Sequence, residues 1–131
     1  MSFPLPEKVA YHFLDTTYRG FDTLQDDEKL TLKSNAQILS TGGVSEGRKV
    51  ELAWIFDDGI FKKIRFKAFG DPYLIGSFSW FCFTMEGNSL EFLSKLSLPQ
   101  IAKELGIPAS KLSCLMLIDD VIQSLLATSK R

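Results

Sequence analysis

The chain has 131 residues, long enough for one closed core but not for two. Hydrophobic residues make up 45% of it, with 11 Phe, which excludes a disordered chain. With 15 basic and 16 acidic residues the net charge is −1, so nothing marks a nucleic-acid footprint. The opening "MSFPLPEKVAYHF" carries no basic leader and no apolar core of signal-peptide length, which sets a soluble cytoplasmic protein as the expectation. Two cysteines, Cys82 and Cys114, are then expected as reduced thiols.

From about Glu7 to Tyr18, Val9, Ala10, Phe13 and Leu14 fall at helical spacing and predict an amphipathic helix, with Pro4 and Pro6 at or before its start. Three half-buried strands follow by period-two alternation. In "KLTLKSNAQILS" Leu30, Leu32, Ser34, Ala36 and Ile38 share a face, and in "RKVELAWIF" Val50, Leu52, Trp54 and Phe56 do. In "GIFKKIRFKAF" Ile64, Phe66 and Ala68 face inward, leaving Lys63, Arg65 and Lys67 as a wet row. "TGGVSEG" joins the first two strands, and "DDG" at Asp57 to Gly59 is a tight hairpin turn.

From Pro72 the period changes. "PYLIGSFSWFCFTMEG" is apolar nearly all round, as a helix buried on several sides should be, and it is too short to span a bilayer. Asp71 before Pro72 is a preferred helix cap followed by a preferred first residue. Asn88 or Ser89 caps "LEFLSKL", and Ser97 caps "LPQIAKELG", which Gly106 closes. Ala109 or Ser110 opens a long last helix with Leu112, Leu115, Ile118, Ile122, Leu125 and Leu126 on one side. The prediction is a single α+β domain over residues 1–131. It has two layers: a three-stranded antiparallel meander, and one N-terminal plus four C-terminal helices packed on one face.

Three strings in this order, "EKVAYHF", "DDGIFKKIRFKAFG" and "LPQIAKELGIPASKLSCLMLIDDVI", make the chain resemble the scaffold proteins of iron–sulfur cluster assembly, the IscU family and the N-terminal domain of NifU. The resemblance covers roughly Leu5 to Ala127. It implies a [2Fe–2S] cluster held by three cysteines, helped by an Asp two residues after the first Cys and a His just before the third. Soft, anionic thiolates suit ferric iron and sulfide. Placed on that pattern, the first Cys falls at Glu46 in "SEGRK" and the helper Asp at Arg48. The second Cys falls at Asp71 in "FGDP", the His at Ser113, and the third Cys is kept as Cys114. A lone thiolate cannot hold a four-ligand cluster within one chain, and Arg48 repels an incoming ferrous ion. "IPASK" retains Pro108 and Lys111 of a Leu-Pro-Pro-Val-Lys chaperone motif, so Ile107, Pro108 and Lys111 are candidates for partner binding. The partners implied are a cysteine desulfurase and an Hsp70-type chaperone.

Two arrangements of the same residues stay open. Should Glu46, Asp71 and Cys114 converge, two oxygens and one sulfur suit Zn²⁺ or a single Fe²⁺ with water completing the shell. Alternatively Arg48 pairs with Asp71 or Glu46, an Arg–carboxylate pair fills the former cluster cavity, and the protein is a non-metal interaction module docking on the assembly machinery. Cys114 is either an inert small hydrophobe on the apolar flank of its helix or, as its match to a family ligand implies, exposed and able to accept persulfide sulfur; Cys82, in "WFCF", is core. Trp80, Phe81 and Phe83 either fill a larger core or plug the space beside the cluster pocket. His12 is read as a surface or satisfied histidine. With no phosphate loop and no nucleophile beside a base, an enzyme is not expected.

Overall fold

The computed structural model describes residues 5–21 and 36–129. Helix α1 (Glu7–Leu14) precedes strands β1 (Ala36–Gly43), β2 (Arg48–Asp57) and β3 (Ile60–Phe69). Helices α2 (Pro72–Met85), α3 (Leu90–Ser94), α4 (Leu98–Leu105) and α5 (Ser113–Ser129) follow. The strands form one antiparallel sheet in the order β1-β2-β3. The α+β architecture read from the sequence is the one observed.

Register decides which side chains meet the helices. Leu39 stands opposite Leu52, and Leu52 opposite Phe66. Leu52 and Phe66 are fully buried, and Leu39 packs against the same core. Ile38 therefore lies on the other face and is 61% exposed, contrary to the predicted alternation. The residues from Lys29 to Asn35 assigned to this strand lie outside the described residues. Asp58 and Gly59 both take positive φ, as a two-residue hairpin turn demands, so β2 and β3 pair tightly.

The core is Val50, Leu52, Trp54, Ile64 and Phe66 from the sheet, packed on Leu74, Phe78, Phe81 and Met85 of α2 and Leu115, Ile118 and Leu125 of α5. Cys82 is fully buried, as expected. Leu112 differs: it is exposed just before α5 begins. Helix α1 lies across α2 at Gly76, where a side chain would collide with the Val9 carbonyl.

Helix α1 stops four residues earlier than its apolar spacing predicts, at Leu14 rather than Tyr18. The Asp15 carboxylate accepts from both the backbone N–H and the hydroxyl of Thr17, a local turn that competes with the next helical bonds. Beyond it Tyr18 and Gly20 hydrogen-bond to Phe66, so the chain runs along the free edge of β3. Leu14 is left exposed, while His12 is buried at 6% with Nδ1 unpartnered among the described residues. The surface histidine of the sequence reading is thus corrected. So is the wet basic row: Arg65 is only 6% exposed, because it pairs with Glu86 at the end of α2 and lies under the Tyr18 ring.

Candidate functional site

Each residue of interest stands at the end of an element. Val44–Glu46 is a 3₁₀ turn between β1 and β2, and Arg48 is the first residue of β2. Asp71 is the N-cap of α2, and its side chain accepts from the Leu74 N–H at 3.0 Å. Ala109–Lys111 is a second 3₁₀ turn, after which Ser113 and Cys114 begin α5.

Together these ends enclose a cavity of about 230 Å³ lined by Glu46, Arg48, Asp71, Lys111, Ser113 and Cys114. The positions that the resemblance matched to cluster ligands, separated by up to about half of the chain, thus share one pocket.

Inside it the pairing differs from expectation. Lys111 Nζ, not Arg48, donates to Asp71 Oδ2 at 3.2 Å. Arg48 lines the same wall with no ion pair among the described residues. Lysine prevails because Lys111 sits on the turn facing the cap of α2, and its ammonium also lies over the Tyr73 ring, 5.4 Å from the centroid.

The Cys114 Sγ donates to Asp71 Oδ1 at 3.8 Å. It is 5% exposed, so of the two readings the structure shows the buried thiol, on the wall of the cavity. Its pKa is pushed up to about 11, first by burial and then by the Asp71 carboxylate, with Arg48 and Lys111 pulling weakly the other way. At neutral pH it is a thiol rather than a thiolate, which makes it a poor ligand and a poor sulfur acceptor.

Glu46 faces the cavity, yet no three His, Cys, Asp or Glu side chains cluster closely enough for a metal ion among the described residues. The three-ligand convergence of Glu46, Asp71 and Cys114 is therefore not formed. Nor does the donor set fit a [2Fe–2S] cargo: one protonated thiol and one carboxylate already held by an ammonium replace the soft anionic ligands such a cargo needs. Trp80 and Phe81 belong to the core and Phe83 is exposed, so these aromatics fill volume elsewhere and do not plug the pocket. Of the partner-binding candidates, Ile107 is 8% exposed and packs inward, leaving Pro108 at the surface and Lys111 in the cavity.

Sequence reasoning missed the role of Lys111. The usable signal was its place three residues before Cys114, one turn away along a chain about to become helical.

The family model described as the NifU-like N terminal domain matches residues 6–130. "Iron sulfur cluster assembly protein 1, mitochondrial" of Debaryomyces hansenii is 31% identical over 127 residues, covering 94% of this chain and 69% of that protein. "Iron-sulfur cluster assembly scaffold protein IscU" of Rickettsia prowazekii is 36% identical over 75 residues, 57% of each chain. A crystal structure of a hypothetical protein aligns with a TM-score of 0.59 at 16% identity, covering 95% of this chain and 96% of that one, which shows a shared fold alone. The cytoplasmic expectation is overturned by the Debaryomyces relative, which is named mitochondrial. Composition and the pattern of a folded domain carry no address, so the default had no physical footing.

Proposed function

The chain belongs to the NifU-like N-terminal domain family, and on that footing we propose that it serves iron–sulfur cluster assembly as a scaffold-like component that does not hold a [2Fe–2S] cluster on its own chain. Residues 1–131 act as one domain of this kind. The observation carrying the reading is the Asp71–Lys111 ion pair lying against a protonated Cys114 in the pocket where cluster ligands would meet. Iron and sulfide are cargo here, and cargo of that charge and softness is held by thiolates. The chain has two cysteines, and Cys82 is sealed in the core with its pKa pushed well above the thiol range by burial.

What remains is the docking surface of the fold. On this reading a cysteine desulfurase or an Hsp70-type chaperone engages the protein, the latter through the exposed turn around Pro108, and the protein contributes no catalysis of its own.

Anaerobic reconstitution with ferrous iron, sulfide and a cysteine desulfurase tests the proposal. The expected result is a protein that stays colourless and co-elutes with the desulfurase. An orange-brown chromophore retained stoichiometrically by the monomer would refute it.

A further inference from the structure

The pocket carries a second feature beyond its missing ligands. A cavity of about 230 Å³ with two carboxylates and a thiol on its wall would ordinarily attract a divalent cation. Here two cations of the protein itself are already in it. Lys111 Nζ lies 3.2 Å from Asp71 Oδ2, within the range at which a hydrated ion would have to approach that carboxylate. The other Asp71 oxygen is 3.8 Å from the Cys114 sulfur, so an ion bridging oxygen and sulfur would have to displace the ammonium or lie against it. Arg48 stands on the same wall and acts on Cys114 electrostatically.

We propose that Asp71, standing where the resemblance places a cysteine, draws the retained Lys111 ammonium into the cation seat of the pocket, and that this ammonium, with Arg48 beside it, closes the pocket to divalent metal. The inference rests on the reading that this pocket is the altered cargo site. It adds that the exclusion comes from charge and not only from the shortage of sulfur. Asp71 and Cys114 are close enough to serve as two ligands of one ion, with water completing the shell, once the ammonium is gone. Lys111 is 41% exposed, so its replacement leaves the core intact.

Cadmium is the suitable probe, because a cadmium–thiolate bond gives an ultraviolet charge-transfer band that reports on sulfur ligation without any assay of activity. Wild type, Lys111→Met, Lys111→Gln and Lys111→Arg are titrated with Cd²⁺ under reducing conditions, each with its thermal melt recorded. Lys111→Met and Lys111→Gln should each gain one Cd²⁺ site at least tenfold tighter than wild type, with a charge-transfer band. Removing a unit charge a few ångströms from a divalent ion is worth at least about that factor near a protein surface. Adding Arg48→Met should tighten the site again, and adding Cys114→Ser should abolish the band. Lys111→Arg, which keeps the charge, should behave as wild type.

No gain in either neutral variant, an equal gain in Lys111→Arg, or a band that survives Cys114→Ser would each overturn the inference. So would a stoichiometric Cys114-dependent site already present in wild type. Failure here is separable from failure of the functional reading, which falls only if the wild-type monomer retains a cluster in reconstitution.

Discussion

Asp71 has three attachments, and two substitutions tell them apart. Its side chain caps α2 through Leu74, pairs with Lys111 and faces Cys114. Asp71→Ala loses the cap, a cost of about 1 kcal/mol. It also loses an ion pair whose partners are both 41% exposed, which solvent screens to about 0–1 kcal/mol. Asp71→Asn loses the ion pair but keeps the cap, since Asn ranks with Asp at that position. The two variants should therefore differ by about 1 kcal/mol, or roughly 3–5 °C in melting temperature for a chain of this size. Both remove the negative charge beside Cys114 and so let its pKa fall from about 11 towards the ordinary thiol value, though burial still holds it up. Each unit of that fall raises the thiolate fraction near neutral pH about tenfold. The assay is thermal melting together with the rate of Cys114 alkylation near pH 8, followed by mass spectrometry. Equal melting of the Ala and Asn variants would refute the cap. Alkylation as slow in both as in wild type would refute the electrostatic coupling of Asp71 to the thiol.

Gly76→Ala sets a gain of about 1 kcal/mol in helix propensity against a Cβ placed 2.7 Å from the Val9 carbonyl oxygen and 3.0 Å from Val9 Cγ1. Because the nearer contact is backbone, overpacking of about 1–3 kcal/mol should prevail, and faster hydrogen exchange in α1 is the readout; protection at or above wild type would count against the packing described. Glu86→Ala removes the Glu86 carboxylate from Arg65, whose side chain is 7% exposed; urea unfolding should show a loss of about 3 kcal/mol, the low end for a broken buried pair, because other contacts, among them the Ile64 carbonyl and the Tyr18 ring, still support the guanidinium. Burial lowers the pKa of His12 below 6.5, against the pull of Asp15 and with a small push from Lys8. The unfolded chain therefore binds the proton first, so the stability due to neutral His12 is full above pH 6.5 and drains as the pH falls below it. The urea midpoint of wild type should drop between about pH 7 and pH 5, and His12→Gln should remove most of that drop.

Much of the fold was legible because its signals are local and repeated. Alternation named β2 and β3, and Asp71, Ser89 and Ser97 each cap the helix they were expected to cap. The early stop of α1 has a local cause, the Asp15–Thr17 turn, but the failures in the sheet share another: a partner distant in sequence. Arg65 reads as wet by alternation, but Glu86, 21 residues on, reaches back to bury it. Leu39 rather than Ile38 faces the core because Leu52 and Phe66 set the register across the sheet. Alternation in β1 alone could not choose between two faces that each offered an apolar residue. At the site the membership of the pocket was readable from the resemblance, but its internal pairing was not. Arg48 and Lys111 are equivalent as charges in a sequence, and only the position of the 3₁₀ turn Ala109–Lys111 opposite the α2 cap selects the lysine.

That placement also explains how such a pocket can change its chemistry while the fold persists. Glu46, Arg48, Asp71, Lys111 and Cys114 all lie at or within two residues of an element end, where the backbone asks for a cap or a turn rather than for volume. At position 71 a carboxylate meets the demand of the helix as well as any side chain can, so exchanging a sulfur for an oxygen there costs the fold nothing and contributes a cap. The carboxylate then recruits Lys111 and itself discourages ionisation of the pocket thiol Cys114, against a weaker opposite pull from the lysine. Meanwhile the residues that fix the architecture, Leu52, Trp54, Phe66, Phe78 and Ile118, lie in the core and line no part of the cavity. Core packing and pocket charge are thus nearly independent in this molecule. Charge substitutions at positions 48 and 111 should consequently move metal affinity far more than they move the melting temperature.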